Sequence, residues 1–68
     1  MTDKEIRILI NPREFVNAWF RMLPHYPTYN AAYEALEDIY EDYFGRRKYS
    51  SYKSFEVIKN RIYQSGKK

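Results

Sequence analysis

NPREFVNAWFRMLP, residues 11–24, reads as a helix with both ends written into it. Asn11 is a capping residue type, Pro12 suits the first helical position, where no N–H is needed, and Glu14 stands three residues after the cap, where it can close a capping box. Phe15, Val16, Trp19, Phe20, Met22 and Leu23 then gather on one broad face, and Pro24 cannot continue the helix. The spacing predicts a helix over 12–23 that buries an aromatic surface.

Two more helices follow downstream. After the loop Pro24-His25-Tyr26-Pro27, Thr28 can cap a segment in which Tyr29, Ala32, Tyr33, Leu36, Tyr40 and Tyr43 recur at three and four residues. That predicts a helix over 29–44, and Gly45 stands where a left-handed C-terminal cap belongs. Beyond the linker Arg46-Arg47-Lys48-Tyr49-Ser50-Ser51, with Ser50 or Ser51 as cap, the stripe Tyr52, Phe55, Ile58, Ile62 predicts a helix over 52–64. Gly66 ends it, and Lys67-Lys68 should fray.

The first ten residues carry two patterns. Ile6, Ile8 and Ile10 alternate like a strand, whereas Thr2-Asp3-Lys4-Glu5 is a capping box with Met1 and Ile6 placed as a hydrophobic staple. They form either a short helix or an extended arm, whose ladder groups would need a second copy of the chain in a homodimer. The expected fold is all-α: a compact three-helix bundle with a short N-terminal helix or arm, with residues 1–68 making one small domain.

A chain of 68 residues buries only about 60% of its extended surface on folding. With no cysteine and a single histidine, His25, it has no disulfide or metal staple to draw on. The core must be unusually dense, and eight Tyr, four Phe and Trp19 supply it, each covering about 150–250 Å². An enzyme is not expected, and neither is a cofactor or a metal. His25 stands alone between prolines, the helical carboxylates lack convergent partners, and no phosphate-loop, nucleophile-elbow or zinc spacing occurs. No apolar run approaches the ~18 residues of a membrane span, and the first ten residues are too charged for the apolar centre of a signal peptide. A soluble, cytoplasmic protein is expected.

Charge is sorted along the chain. Residues 1–21, 22–45 and 46–68 carry balances of +1, −5 and +7, which make the overall +3. Glu34, Glu37, Asp38, Glu41 and Asp42 give the middle helix an acidic outer surface, and the last third is basic. Such asymmetry points to a polyanionic partner. Arg46, Arg47 and Lys48 have a structural reading too, since cations just past a helix C-terminus offset its partial negative charge.

The basic triplet leads into Ser51 and Lys53 at the start of the last helix, where free N–H groups, hydroxyls and cations together suit phosphate. On a helical wheel with Phe55, Ile58 and Ile62 inward, Lys53, Val57, Asn60, Arg61 and Gln64 gather opposite. Amides for adenine, cations for guanine or phosphate and a small apolar group for the thymine methyl are the chemistry that reads a major groove. The expected nucleic-acid-binding residues are Arg46, Arg47, Lys48, Ser51, Lys53, Asn60, Arg61 and Gln64. The turn between the last two helices is too long for a tight helix-turn-helix. The sequence therefore reads first as a small accessory or regulatory protein that binds nucleic acid, duplex DNA in the first instance. Its rival is an interaction module, inhibitor or adaptor that docks on a protein through the acidic helix face or the apolar N-terminal segment. Tyr26, Tyr49 and Tyr63 are the tyrosines expected at the surface.

Overall fold

The computed structural model describes residues 2–66. The order is α1 (Asp3–Arg7), a 3-10 turn (Ile8–Ile10), α2 (Pro12–Met22), a second 3-10 turn (Leu23–His25), α3 (Tyr29–Phe44) and α4 (Tyr52–Gly66), with no strand among the described residues. The described residues form an all-α architecture with four α-helices, and residues 12–22, 29–44 and 52–64 are helical as the spacing predicts. Helix α2 ends one residue earlier than predicted: Leu23 keeps right-handed helical dihedrals, and its N–H is shared between the Phe20 and Trp19 carbonyls as the chain tightens into the 3-10 turn. Lys67-Lys68 and Met1 lie outside the described residues.

The N-terminal segment is a helix, and its isoleucine alternation makes no strand. Thr2 and Glu5 exchange the two bonds of a capping box, at 2.8 and 3.3 Å. A lone strand would leave its ladder unpaired, whereas this turn satisfies its own donors. Leu9 is then the buried residue of the segment, and Ile8 and Ile10 are exposed.

Local caps bound the longer helices. Asn11 Oδ1 accepts from the N–H groups of Arg13 (2.9 Å) and Glu14 (3.4 Å). The reciprocal bond from Glu14 does not form, because the Asn11 N–H is already donated to the Ile8 carbonyl at 3.0 Å. Thr28 Oγ1 accepts from Ala31 N–H at 3.0 Å. At the far end of α3, Gly45 takes φ +82° and its N–H returns to the Glu41 carbonyl at 2.8 Å.

Phe15, Trp19, Tyr33, Leu36, Tyr40 and Phe55 are buried together, with Leu9, Val16, Ala18 and Ala32 filling around them. Phe55 stands at the centre, with ring centroids 5.1 Å from Tyr33, 5.3 Å from Trp19 and 5.6 Å from Phe15. Most of these pairs are edge-to-face, the geometry that the ring quadrupole favours. The Trp19 Nε1–H is satisfied by the Tyr29 carbonyl at 3.1 Å. Ile58 and Ile62, expected in the core, are only half-buried. Among the residues of α4 whose burial is described, Phe55 is the fully buried one, and Tyr52 and Ile62 pack against the core from its margin.

Candidate nucleic-acid interface

The segment between α3 and α4 folds back over α3 rather than projecting from it, and Glu37 is the cause. Its side chain has no solvent exposure. One oxygen accepts the Lys48 backbone N–H at 2.9 Å; the other accepts the Tyr49 N–H at 2.9 Å and the Tyr33 hydroxyl at 2.5 Å. Three donors converge on one carboxylate, which is how a buried acid is tolerated. The expectation that Glu37 lies on the acidic outer surface is therefore corrected. On the α3 wheel it falls beside Tyr33 and Tyr40, on the edge of the buried stripe, where the linker needs an acceptor for its free N–H groups.

Two of the three triplet cations are held by the same cluster. Arg47 spans both oxygens of Glu34, at 3.2 and 3.4 Å, and also donates to the Tyr33 hydroxyl (3.3 Å) and the Tyr49 carbonyl (3.3 Å). Glu34 first, then the Tyr33 hydroxyl, holds its guanidinium above the usual arginine range. The Lys48 chain runs over Tyr40 and Tyr49, its Nζ 5.5 and 5.6 Å from the ring centroids, and ends 2.7 Å from the Ile10 carbonyl. Burial lowers its ammonium below the ordinary value, although Glu37 opposes the shift. Lys48 thus ties the linker to the N-terminal 3-10 turn. Tyr49, expected at the surface, is half-buried, and its hydroxyl is enclosed without a hydrogen-bond partner. Burial first, then Glu37 and Tyr40, pushes that phenol up to about 12.

The other candidate residues face solvent. Arg46 is exposed on the linker, and Ser51 immediately precedes α4, its Oγ accepting from Ser54 N–H at 3.4 Å. Lys53, Val57, Asn60, Arg61 and Gln64 are all exposed, as the wheel places them, and none of these five is acidic. Glu56, half-buried, lies on the flank of α4 toward Tyr52. On α2 the exposed residues Arg13, Asn17 and Arg21 repeat every four positions and add a second basic and amide-bearing stripe. That stripe was open to the same wheel construction that singled out α4.

The acidic surface of α3 contracts to Asp38, Glu41 and Asp42, all exposed. Beside it Ile39, Asp42 and Tyr43 of α3 and Ile6 of α1 line an open groove of about 320 Å³. His25 is exposed, and no group of three or more His, Asp or Glu residues among the described residues could hold a metal ion. No helix among them is long and apolar enough to cross a membrane. No protein-family model, curated protein or solved structure matches the chain, so its chemistry is read from these residues alone.

Proposed function

We propose that this is a small nucleic-acid-binding protein in which α2, α3 and α4 form a three-helix bundle, α1 braces it, and the outward face of α4 meets the nucleic acid. The supporting observation is that Lys53, Val57, Asn60, Arg61 and Gln64 share one solvent-facing side of a helix with no acid among them. Arg46 and the Ser51 end of α4 flank that face for phosphate contact. Arg47 and Lys48 act indirectly, by holding the linker in place, because each already has partners within the fold.

Binding is measured by anisotropy with a random-sequence duplex over a salt series. Each phosphate-contacting cation contributes about −0.9 to the slope of log affinity against log salt. Lys53→Ala with Arg61→Ala should weaken binding to all sequences and flatten the slope by nearly two units. Asn60→Ala should keep the slope and relax preference at one base pair by about 1–3 kcal/mol. Absence of salt-sensitive binding at micromolar protein overturns the reading.

The groove between α1 and α3 favours a second reading, in which an apolar floor beside Asp38 and Asp42 takes a basic amphipathic helix of a protein partner. A synthetic helical peptide of leucine and lysine should then bind, and Asp38→Lys with Asp42→Lys should abolish that binding while leaving duplex affinity equal or higher.

A further inference from the structure

Four aromatic rings form a continuous chain across the three long helices. Tyr29 at the start of α3 packs on Trp19 of α2 with centroids 5.6 Å apart, Trp19 on Phe20 at 4.9 Å, and Phe20 on Tyr63 of α4 at 5.2 Å. The middle of the chain is buried at Trp19, but both ends are open: Tyr29 is 62% exposed and Tyr63 48%. Lys59 of α4 sets its Nζ 5.1 Å from the Trp19 ring centroid, so a cation stands over the chain between its two exposed ends.

Each end ring rests on a neighbouring ring as well as being exposed, Tyr29 on Trp19 and Tyr63 on Phe20. The Tyr29 carbonyl holds the Trp19 indole N–H, and Tyr63 is fixed in α4 against Phe20. An exposed ring already held by its neighbours loses little side-chain entropy when a second flat group stacks on it. The rest of the core does not need these ring faces, since Tyr29 and Tyr63 lie outside the buried cluster.

We propose that Tyr29 and Tyr63 are stacking platforms for unpaired bases of a single-stranded nucleic acid whose backbone is drawn in by Lys59. This deepens the nucleic-acid reading above and rests on it. The strand must be unpaired because a duplex keeps its base faces stacked internally, whereas a single strand offers them freely. Charge complementarity selects the occupant: Lys59 stands over the chain between its open ends, Arg46, Lys53 and Arg61 are exposed elsewhere on the same third of the sequence, and a polyanion with exposed π-faces matches rings set beside a cation.

Three probes are compared by anisotropy and by the emission of Trp19, the sole tryptophan: oligo(dT), its RNA counterpart oligo(U), and a duplex of equal length. Tyr29→Leu and Tyr63→Leu keep apolar bulk and remove the π-face. Each should weaken single-strand binding roughly 5- to 100-fold and leave duplex affinity unchanged, while Tyr29→Phe and Tyr63→Phe retain wild-type binding. Bromouracil-substituted oligo(dT), photo-crosslinked to the unmodified protein, should attach at Tyr29 or Tyr63. If the folded double-leucine variant binds oligo(dT) like wild type, or if crosslinks are confined to residues 46–53, the stacking proposal is overturned while salt-sensitive duplex binding leaves the α4 reading standing. If none of the three probes binds, both are overturned.

Discussion

Glu37 is an acidic side chain with no solvent exposure, and its value lies in the three donors it satisfies. Glu37→Gln turns an accepting oxygen into an NH2 group that faces those donors. A hydrogen bond to a charged group is worth about 1.5–3 kcal/mol, so the variant should lose about 3 kcal/mol in a urea titration. Tyr49 presents the reverse case. Its enclosed hydroxyl has no partner, and Tyr49→Phe should stabilise the fold by about 1 kcal/mol. The same hydroxyl sets an alkaline limit. Burial raises its pKa from 10.0 to about 12, so the folded state holds the proton more tightly than the unfolded chain does. The stability tied to that proton is fully present below pH 10 and is lost as pH climbs toward 12. Tyr33, raised by burial and by its bond to Glu37, adds to the loss in the same direction. Denaturation midpoints measured across this window should fall with pH, and by less in Tyr49→Phe.

At the scale of elements, the turn from α3 to α4 depends on one backbone conformation. Gly45 at φ +82° closes α3 and starts the path that brings Lys48 and Tyr49 over Glu37. A Cβ there meets open space, so Gly45→Ala is opposed by backbone strain alone and should cost about 1–2 kcal/mol, read from the thermal midpoint. A residue that tolerates the left-handed region, as in Gly45→Asn, should recover part of the loss. The α4 face behaves oppositely. Lys53, Asn60 and Arg61 are exposed, and substitutions there should change binding without moving the midpoint by more than about 0.5 kcal/mol.

For the whole molecule, one interleaved set of rings carries the stability. Trp19 touches Phe20, Tyr29 and Phe55 and donates its indole N–H to the start of α3, so α2, α3 and α4 all meet at this side chain. Trp19→Ala should cost about 3–5 kcal/mol, much of what so small a fold can hold, and leave the chain largely unfolded at body temperature. A melt close to wild type would contradict the core assignment.

The helices, their caps and the outward face of α4 were readable in advance because each is a local property. Asn11, Pro12, Thr28 and Gly45 act on neighbours within four residues, and the periodicity of Tyr33, Leu36 and Tyr40 needs only the helical repeat. For residues 1–10 the sequence left helix and arm both open, and the structure shows a helix and a 3-10 turn over residues 3–10. What the linear pattern left open is long-range. Arg47, Lys48 and Glu37 look like surface charges in sequence, yet the fold brings Glu34 and Glu37 against a linker about a dozen residues away and gives each charge a partner. The Tyr29, Trp19, Phe20 and Tyr63 chain likewise exists only once three helices are packed. Spacing reports which side of a helix a residue occupies; which other helix covers that side is a tertiary fact, and burial, ion pairing and exposed ring faces all follow from it.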